Sequence, residues 1–268
     1  MKFLVAAIQM LASDDKAANL TEAEKRIRYA ASKGARVVAL PEVFIWRGKQ
    51  KEERAAAEPV PGPTSEKLME LARELGIYLL GGSILEEIDG GRKSYNTSIL
   101  FGPQGNSLAR YRKIHLFDVD LEAGITARES DSREFGADVT VADTELCPMG
   151  LSVCYDLRFP ELYRTLAARG ARIIFVPSAF TAYTGKAHWE PLLRARAIEN
   201  QVYVVAPAQY GHNPKSYATH GHSMIVDPWG KILAELSDGP GVVTAEVDLE
   251  YLAKVRAELP ALSHRKLP

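Results

Sequence analysis

Short apolar runs recur along this chain, and each stops abruptly at a proline or a polar residue. Residues 3–9 (F-L-V-A-A-I-Q) form one such run, Val37 to Leu40 is stopped by Pro41, and 172–178 (R-I-I-F-V-P-S) is stopped near Pro177. Runs this short have the length of buried strands, and several of the stretches between them carry the wider spacing of helices. Ser13 is placed to cap a helix running to about Lys33 and ended by Gly34, with Ala18, Ile27 and Ala31 on its inner face. Residues 43–63 are loop-like or weakly helical. A helix from Thr64 or Ser65 to about Leu75 stops at Gly76. Strands at 77–84, 94–101 and 107–116 follow, joined by turns at Asp89-Gly90-Gly91 and at 102–106. Residues 117–136 show no period and are rich in acids, as expected of a long loop lining a site.

The second half repeats the scheme. A strand leads to Cys154, a helix covers about 160–169, and a strand follows at 172–178. A helix is expected from His188 to Glu199, with Leu192, Leu193 and Ala197 inward and Arg194 and Arg196 at its polar edge. A strand at 201–206, a hairpin around Asp227-Pro228-Trp229-Gly230 and a strand at 241–247 come next. Leu249 begins a short helix, and the tail from about Pro260 is expected to be extended. The order predicts an α/β fold: a sandwich of two sheets with helices outside, closed by one core over residues 1–268 as a single domain.

Composition narrows the function. With 33 basic and 34 acidic residues among 268, the formal charge is −1, which argues against nucleic acid or a membrane surface as partner. No run approaches the ~18 apolar residues of a membrane span. Gln9 and the pair Asp14–Asp15 argue against a secretory signal at the start. Two cysteines, Cys147 and Cys154, make no disulfide framework, so a reducing, cytoplasmic setting is expected.

The most informative stretch is G-L-S-V-C-Y-D-L-R-F-P-E at 150–161. The apolar run Leu151 to Val153 gives way to Cys154 and then to Tyr155, Asp156 and Arg158, with Pro160 opening a helix. A lone cysteine is ordinarily a small buried hydrophobe. At a strand-to-helix corner, outward N–H groups and the start of a helix favour negative charge, so a lowered thiol pKa is expected. Glu42 and Lys113 share the placement of Cys154, each at or just past the end of a core strand. Elsewhere each would be a solvated surface charge. Together the three supply a chemistry. Glu42 can act as general base, Cys154 as a nucleophile forming a thioester, and Lys113 with the Tyr155 N–H as an oxyanion site. His115, two residues after Lys113, leaves a Cys–His pair open.

These residues resemble the nitrilase, or carbon–nitrogen hydrolase, superfamily. The resemblance runs from Lys2 to about Arg265 and rests on A-L-P-E at 39–42, Y-R-K-I-H-L-F at 111–117 and S-V-C-Y-D-L-R-F-P-E at 152–161, in that order. It implies Glu42 as base, Lys113 as oxyanion stabiliser, Cys154 as nucleophile and a second glutamate after the lysine, placed at Glu129 in T-A-R-E-S rather than at Glu122. It also implies a four-layer α-β-β-α sandwich of two mixed sheets, no metal or other cofactor, and homodimers or larger assemblies in which the helix after Cys154 packs across the interface. The segments 179–201 and 221–230 are similar to the branch containing deaminated glutathione amidase and ω-amidase, which implies a small carboxylate-bearing amide and water as substrates. Arg158 is placed to bind a substrate carboxylate, with a helix-start salt bridge as the other use, and Tyr95, Asn96, Tyr155, Phe180, Thr181 and Thr184 are candidate pocket residues. Nitrile hydrolysis, N-carbamoyl cleavage and a catalytically silent binding scaffold stay open as alternatives. His220 and His222 form H-x-H, but no third ligand lies nearby in sequence, so no zinc site is expected.

Overall fold

The computed structural model describes residues 1–122 and 124–266, and both of its large sheets are built by one rule. In the first, Lys2–Gln9, Ala35–Ala39 and Tyr78–Leu80 run parallel, linked by helices Lys16–Ser32 and Pro63–Leu75. Ser94–Phe101 and Ile84–Glu87 extend this sheet antiparallel. In the second, Met149–Leu151, Ile173–Phe175 and Tyr203–Ala206 run parallel, linked by helices Pro160–Ala168 and Ala182–Asn200. Met224–Val226 and Ile232–Glu235 extend it antiparallel. An antiparallel strand also flanks each first parallel strand: Gly241–Asp248 in the one sheet, Val141–Ala142 in the other. The two halves share a pattern of strand directions and not a chain order: Ser94–Phe101 lies inside the earlier Ile84–Glu87 in the first sheet, whereas Met224–Val226 lies inside the later Ile232–Glu235 in the second.

Side-chain alternation sets the layers. On Lys2–Gln9, Phe3, Val5 and Ala7 share a core with Leu151, Ile174 and Val204 of the second sheet, while Ala6 and Ile8 pack with Ile27 and Leu71 of the first pair of helices. Leu166, Trp189 and Leu193 cover the second sheet from its own helices. The order is helices, sheet, sheet, helices. Two buried glutamines stitch the sheets together. Gln9 Oε1 accepts from the Ser223 N–H at 2.8 Å, and Gln209 Oε1 accepts from the Ala12 N–H at 2.8 Å.

The structure departs from the sequence reading where local chemistry competes. Asp15, not Ser13, caps the first helix by accepting from the Ala18 N–H at 3.0 Å, so Ala18 is exposed and Asn19, Ala23, Ile27 and Ala30 form the buried face. The helix expected from His188 begins at Ala182, because Thr181 caps it, and Gly185 and Pro191 are accommodated inside. Arg196 is buried rather than peripheral, donating to the Leu157 carbonyl at 2.8 and 3.1 Å. The strand after Ser107 ends at Arg112, leaving Lys113 just beyond it. The acidic loop folds into a hairpin of Asp118–Leu121 and Ile125–Arg128 followed by the helical turn Glu129–Ser132. The tail is not extended throughout: residues 261–264 form a turn, with the Ser263 N–H on the Pro260 carbonyl at 3.1 Å, and residues 267–268 lie outside the described residues. Among the described residues no helix is long and apolar enough to cross a membrane.

The expected strand at 77–84 breaks after Leu80, because Gly82 takes φ +51° to pass the Pro41 carbonyl. A Cβ there would lie 2.0 Å from Pro41 O, and the next residue, Ser83, accepts from the Val43 N–H at 3.0 Å. This corner therefore holds the backbone on both sides of Glu42. Gly82→Ala should cost at least about 1 kcal/mol in urea unfolding, from left-handed strain plus the clash. It should also move Glu42; a variant of wild-type stability would contradict this reading of the corner.

Candidate active site

Four chain segments end at one place. Glu42 follows Ala35–Ala39, Lys113 follows Ser107–Arg112, Cys154 follows Met149–Leu151, and Ala179 follows Ile173–Phe175. The carboxyl ends of parallel strands are where open α/β sheets place their ligands. Lys113 is 1 % exposed, and its Nζ donates to Glu42 Oε1 at 3.0 Å and to Glu129 Oε2 at 2.9 Å. Glu42 is itself buried, with Asn96 Nδ2 on Oε1 at 2.8 Å and the Ala179 N–H on Oε2 at 2.8 Å. Its carboxylate also faces the Cys154 thiol.

The charges follow from burial and partners. Burial pulls the Lys113 pKa down, but Glu129 and Glu42 outweigh it and hold the ammonium pKa well above its usual value. Burial pushes Glu129 up, yet Lys113 and Arg133 bring it below the usual carboxylate range. The expected lowering of the Cys154 pKa is overturned. Burial, then the Glu42 charge, push the thiol well above its usual value, and Lys113 only partly opposes them. Five residues, Cys154 to Arg158, form a single 3-10 turn whose N–H groups do not outweigh this desolvation.

The corner itself is strained and braced. Cys154 has φ +48°, a left-handed conformation uncommon outside glycine, and its N–H donates to the Pro177 carbonyl at 3.0 Å. Asp156, fully buried, supplies the brace. It accepts from Tyr111 Oη at 2.7 Å, the Val153 N–H at 2.8 Å and the His115 N–H at 3.1 Å, and lies 2.7 Å from His115 Nδ1. One carboxylate thus ties the residues beside Cys154 to those beside Lys113. His115 is committed to Asp156 and to stacking on Phe159 at 3.6 Å, so no Cys–His pair forms.

Two cavities lie at the site, of which only the smaller is lined by Cys154. A narrow cleft of about 10 Å³ over Cys154 is lined by Tyr155, Arg158, Phe180, Thr181 and Thr184, all singled out from the sequence. A larger cavity of about 410 Å³ lies on the Glu42 and Glu129 side. Phe117, Ala179 and Tyr217 border both. Arg158 makes no ion pair among the described residues; it lies 5.0 Å from the Phe180 ring and 3.2 Å from His188 Nδ1. Tyr95 and Asn96 line neither cavity. They alternate on one strand, so Tyr95 points away and lies under the Arg112 guanidinium at 4.0 Å, while Asn96 is spent on Glu42. Glu122 is not at Lys113; Glu129 is.

The family model for carbon–nitrogen hydrolases matches residues 4–257. The chain belongs to the carbon–nitrogen hydrolase family. The omega-amidase NIT2 of Xenopus tropicalis is 44% identical over 265 residues, covering 99% of this chain and 95% of that protein. The deaminated glutathione amidase of Synechocystis sp. is 44% identical over 266 residues, covering 98% of each. The crystal structure of the C. elegans NitFhit protein superposes with a TM-score of 0.90 at 40% identity, over 99% of this chain and 65% of that one.

In this carbon–nitrogen hydrolase the sequence reading missed the supports rather than the central groups. Asp156, two residues after Cys154, falls inside the motif at 152–161, but its residue type alone assigns it no role there. Arg133 had a usable signal: it lies four residues after Glu129, the spacing of a helical ion pair, and it pairs with Glu129 and with Glu53 at 2.7 Å. His220 and His222 stack at 4.3 Å, and burial, then His222, lower His220 to about 4. The electrostatics carry a sign that can be checked. Glu42 disfavours the thiolate, so Glu42→Gln should let Cys154 ionise at a lower pH than the wild type. The rate of iodoacetamide alkylation against pH reads this directly, and an unchanged or higher midpoint would contradict it.

Proposed function

We propose that this protein is a thiol-dependent amidase acting on a small carboxylate-bearing linear amide, with Cys154 as nucleophile and Glu42, Lys113 and Glu129 as its working partners. The observation that carries the reading is the convergence at Glu42: the carboxylate that accepts from Lys113 Nζ at 3.0 Å lies near enough to Cys154 for its charge to raise the thiol pKa. A thiol this reluctant to ionise reacts by giving up its proton as it attacks. The S–H proton passes to Glu42 while Sγ bonds to the carbonyl carbon, and the carbonyl oxygen takes the negative charge. Lys113 Nζ and the Tyr155 N–H stabilise that oxygen. Collapse breaks the C–N bond, the amine leaves with the proton from Glu42, and a thioester remains. Water then gives a proton to Glu42, its oxygen attacks the thioester, and the S–C bond breaks with the proton returning to sulfur. The sum is amide plus water to acid plus amine, with no cofactor.

Glu129 touches no reacting atom in this scheme; it holds Lys113 charged and aimed. Arg158, half-buried at the cleft and without an ion pair among the described residues, suits a carboxylate on the acyl portion, with Tyr155, Phe180, Thr181 and Thr184 as walls. The names of the relatives, omega-amidase and deaminated glutathione amidase, support an ω-amide or deaminated glutathione as the substrate. A homodimer fits the exposed Ile198 and Trp229, since Ile198 lies against the turn at Gly230 beside Trp229. Two free cysteines suit a cytoplasmic setting.

A panel of amides, nitriles and N-carbamoyl compounds, scored by ammonia and amine release, tests the assignment. The amides should be turned over, and Cys154→Ala and Cys154→Ser should lose activity by at least about 10³-fold while unfolding as the wild type does. Preferred turnover of nitriles or carbamoyl compounds, or no turnover of any class, would overturn it.

A further inference from the structure

Asn96 is fully buried, and its side-chain amide is only half satisfied. Its Nδ2 donates to Glu42 Oε1 at 2.8 Å, while its Oδ1 has no hydrogen-bond partner among the described residues. A buried acceptor left unpaired destabilises a fold, and native proteins seldom keep one. Turning the amide over offers no remedy, because Oδ1 would then meet the Glu42 carboxylate, acceptor against acceptor. Glu42 therefore dictates which way the amide points. The main chain of the same residue serves the neighbouring charge: the Asn96 carbonyl accepts from the Lys113 N–H at 2.9 Å. Asn96 belongs to Ser94–Phe101, a strand paired with Ile84–Glu87 on one side and Ser107–Arg112 on the other, so both contacts issue from a rigid element.

Counting lone pairs divides the work of the Glu42 carboxylate between its oxygens. Oε1 accepts from Asn96 Nδ2 and from Lys113 Nζ at 3.0 Å, so both of its sites are taken. Among the described residues Oε2 accepts only from the Ala179 N–H, at 2.8 Å, and one of its sites stays open. Burial raises the Cys154 thiol pKa most, and the Ala179 N–H is among the groups that oppose it, so the donor on Oε2 also serves the sulfur. We infer that Asn96 is a positioning residue for Glu42: by closing Oε1 it leaves Oε2 as the one oxygen that takes the thiol proton and passes it to the leaving nitrogen. In the first transfer the S–H bond breaks, an O–H bond forms at Oε2, and the electron pair left on sulfur forms the S–C bond. The inference rests on the amidase reading and adds to it the atom that carries the proton. Without the Asn96 amide, Oε1 gains an open site and the carboxylate loses a donor that favours its charged form. Glu42 then takes a proton more readily and holds part of it away from the sulfur.

Asn96→Leu removes the donor and the unpaired acceptor together. It should lower kcat on the favoured amide by about tenfold or more, the size of a hydrogen bond to a charged group, with KM within about threefold. The acid limb of kcat/KM should move to higher pH by about half a unit or more, because a carboxylate with fewer donors is neutralised sooner on acidification. Glu42 is faced by Lys113 and, through their charges, by Cys154, Arg47, Arg133 and Tyr217, with Glu129 behind Lys113. The Asn96 side chain hydrogen-bonds none of these, so the substitution leaves them in place. Asn96→Ala, which only deletes atoms, is measured in the same way where Asn96→Leu does not fold. An unchanged kcat, or a lower kcat with an unmoved acid limb, would overturn the inference while leaving the amidase assignment intact. If the wild type turns over no amide, the amidase reading fails, and NMR of protein carrying carbon-13 at the glutamate carboxyl decides the Asn96–Glu42 pairing alone. The Glu42 resonance is assigned by its loss in Glu42→Gln. A titration midpoint higher in Asn96→Leu than in the wild type keeps the positioning role, and an equal or lower midpoint, or no titration in either protein, removes it.

Discussion

The ammonium of Lys113 is the interaction on which the site depends. It is buried among core side chains, and an amine in that position would ordinarily lose its proton. One carboxylate at contact distance contributes about 4 kcal/mol at an effective dielectric of about 20, comparable with the several kcal/mol of desolvation each ion bears. Two carboxylates tip the balance, and Glu42 and Glu129 provide them. Glu129 is in turn held by Arg133 and by the Phe117 N–H at 2.8 Å, and Arg133 by Glu53. The result is an alternating row of buried charges in which Glu42 is the end that meets the thiol.

The same row explains why the thiol is not a resting thiolate. A negative sulfur beside the Glu42 carboxylate would place two like charges in a desolvated pocket, and Lys113 is already shared between two carboxylates. Proton transfer and attack are therefore coupled in the proposed chemistry, and no free thiolate accumulates. The fold serves this by bringing together two halves with one pattern of strand directions. Glu42 comes from the second parallel strand of the first half, and Cys154 from the first parallel strand of the second. Asp156 joins the two, because its four contacts reach both flanks.

Much of this was legible in the chain. Pro41 and Pro177 mark strand ends, and the polar residues that follow such ends fall at the site because parallel sheets gather their carboxyl ends. The alternation at Tyr95 and Asn96 was legible too, since neighbours on a strand cannot both face one pocket. Other features were closed to a reading of sequence. Asp15 and Ser13 are equally good caps by type, and only the chain path selects between them. The helix start at Ala182 was masked by Gly185, whose missing side chain lets His220 approach, and by Pro191. The thiol pKa was misjudged because a local argument from helix and N–H groups ignored burial, which depends on the whole fold. Arg47 belongs to the same class: nothing in F-I-W-R-G reveals that its guanidinium ends up buried with no ion pair among the described residues.

The central claim is that the sulfur of Cys154 carries the acyl group between two half-reactions, and partitioning of that intermediate tests it most directly. Amides sharing one acyl group but differing in their amine are turned over in the presence of hydroxylamine, and hydroxamate and acid are measured. A common thioester formed after the amine has left predicts the same hydroxamate-to-acid ratio for every member of the series. A ratio that changes with the amine, or formation of acid alone at every hydroxylamine concentration, would contradict the account.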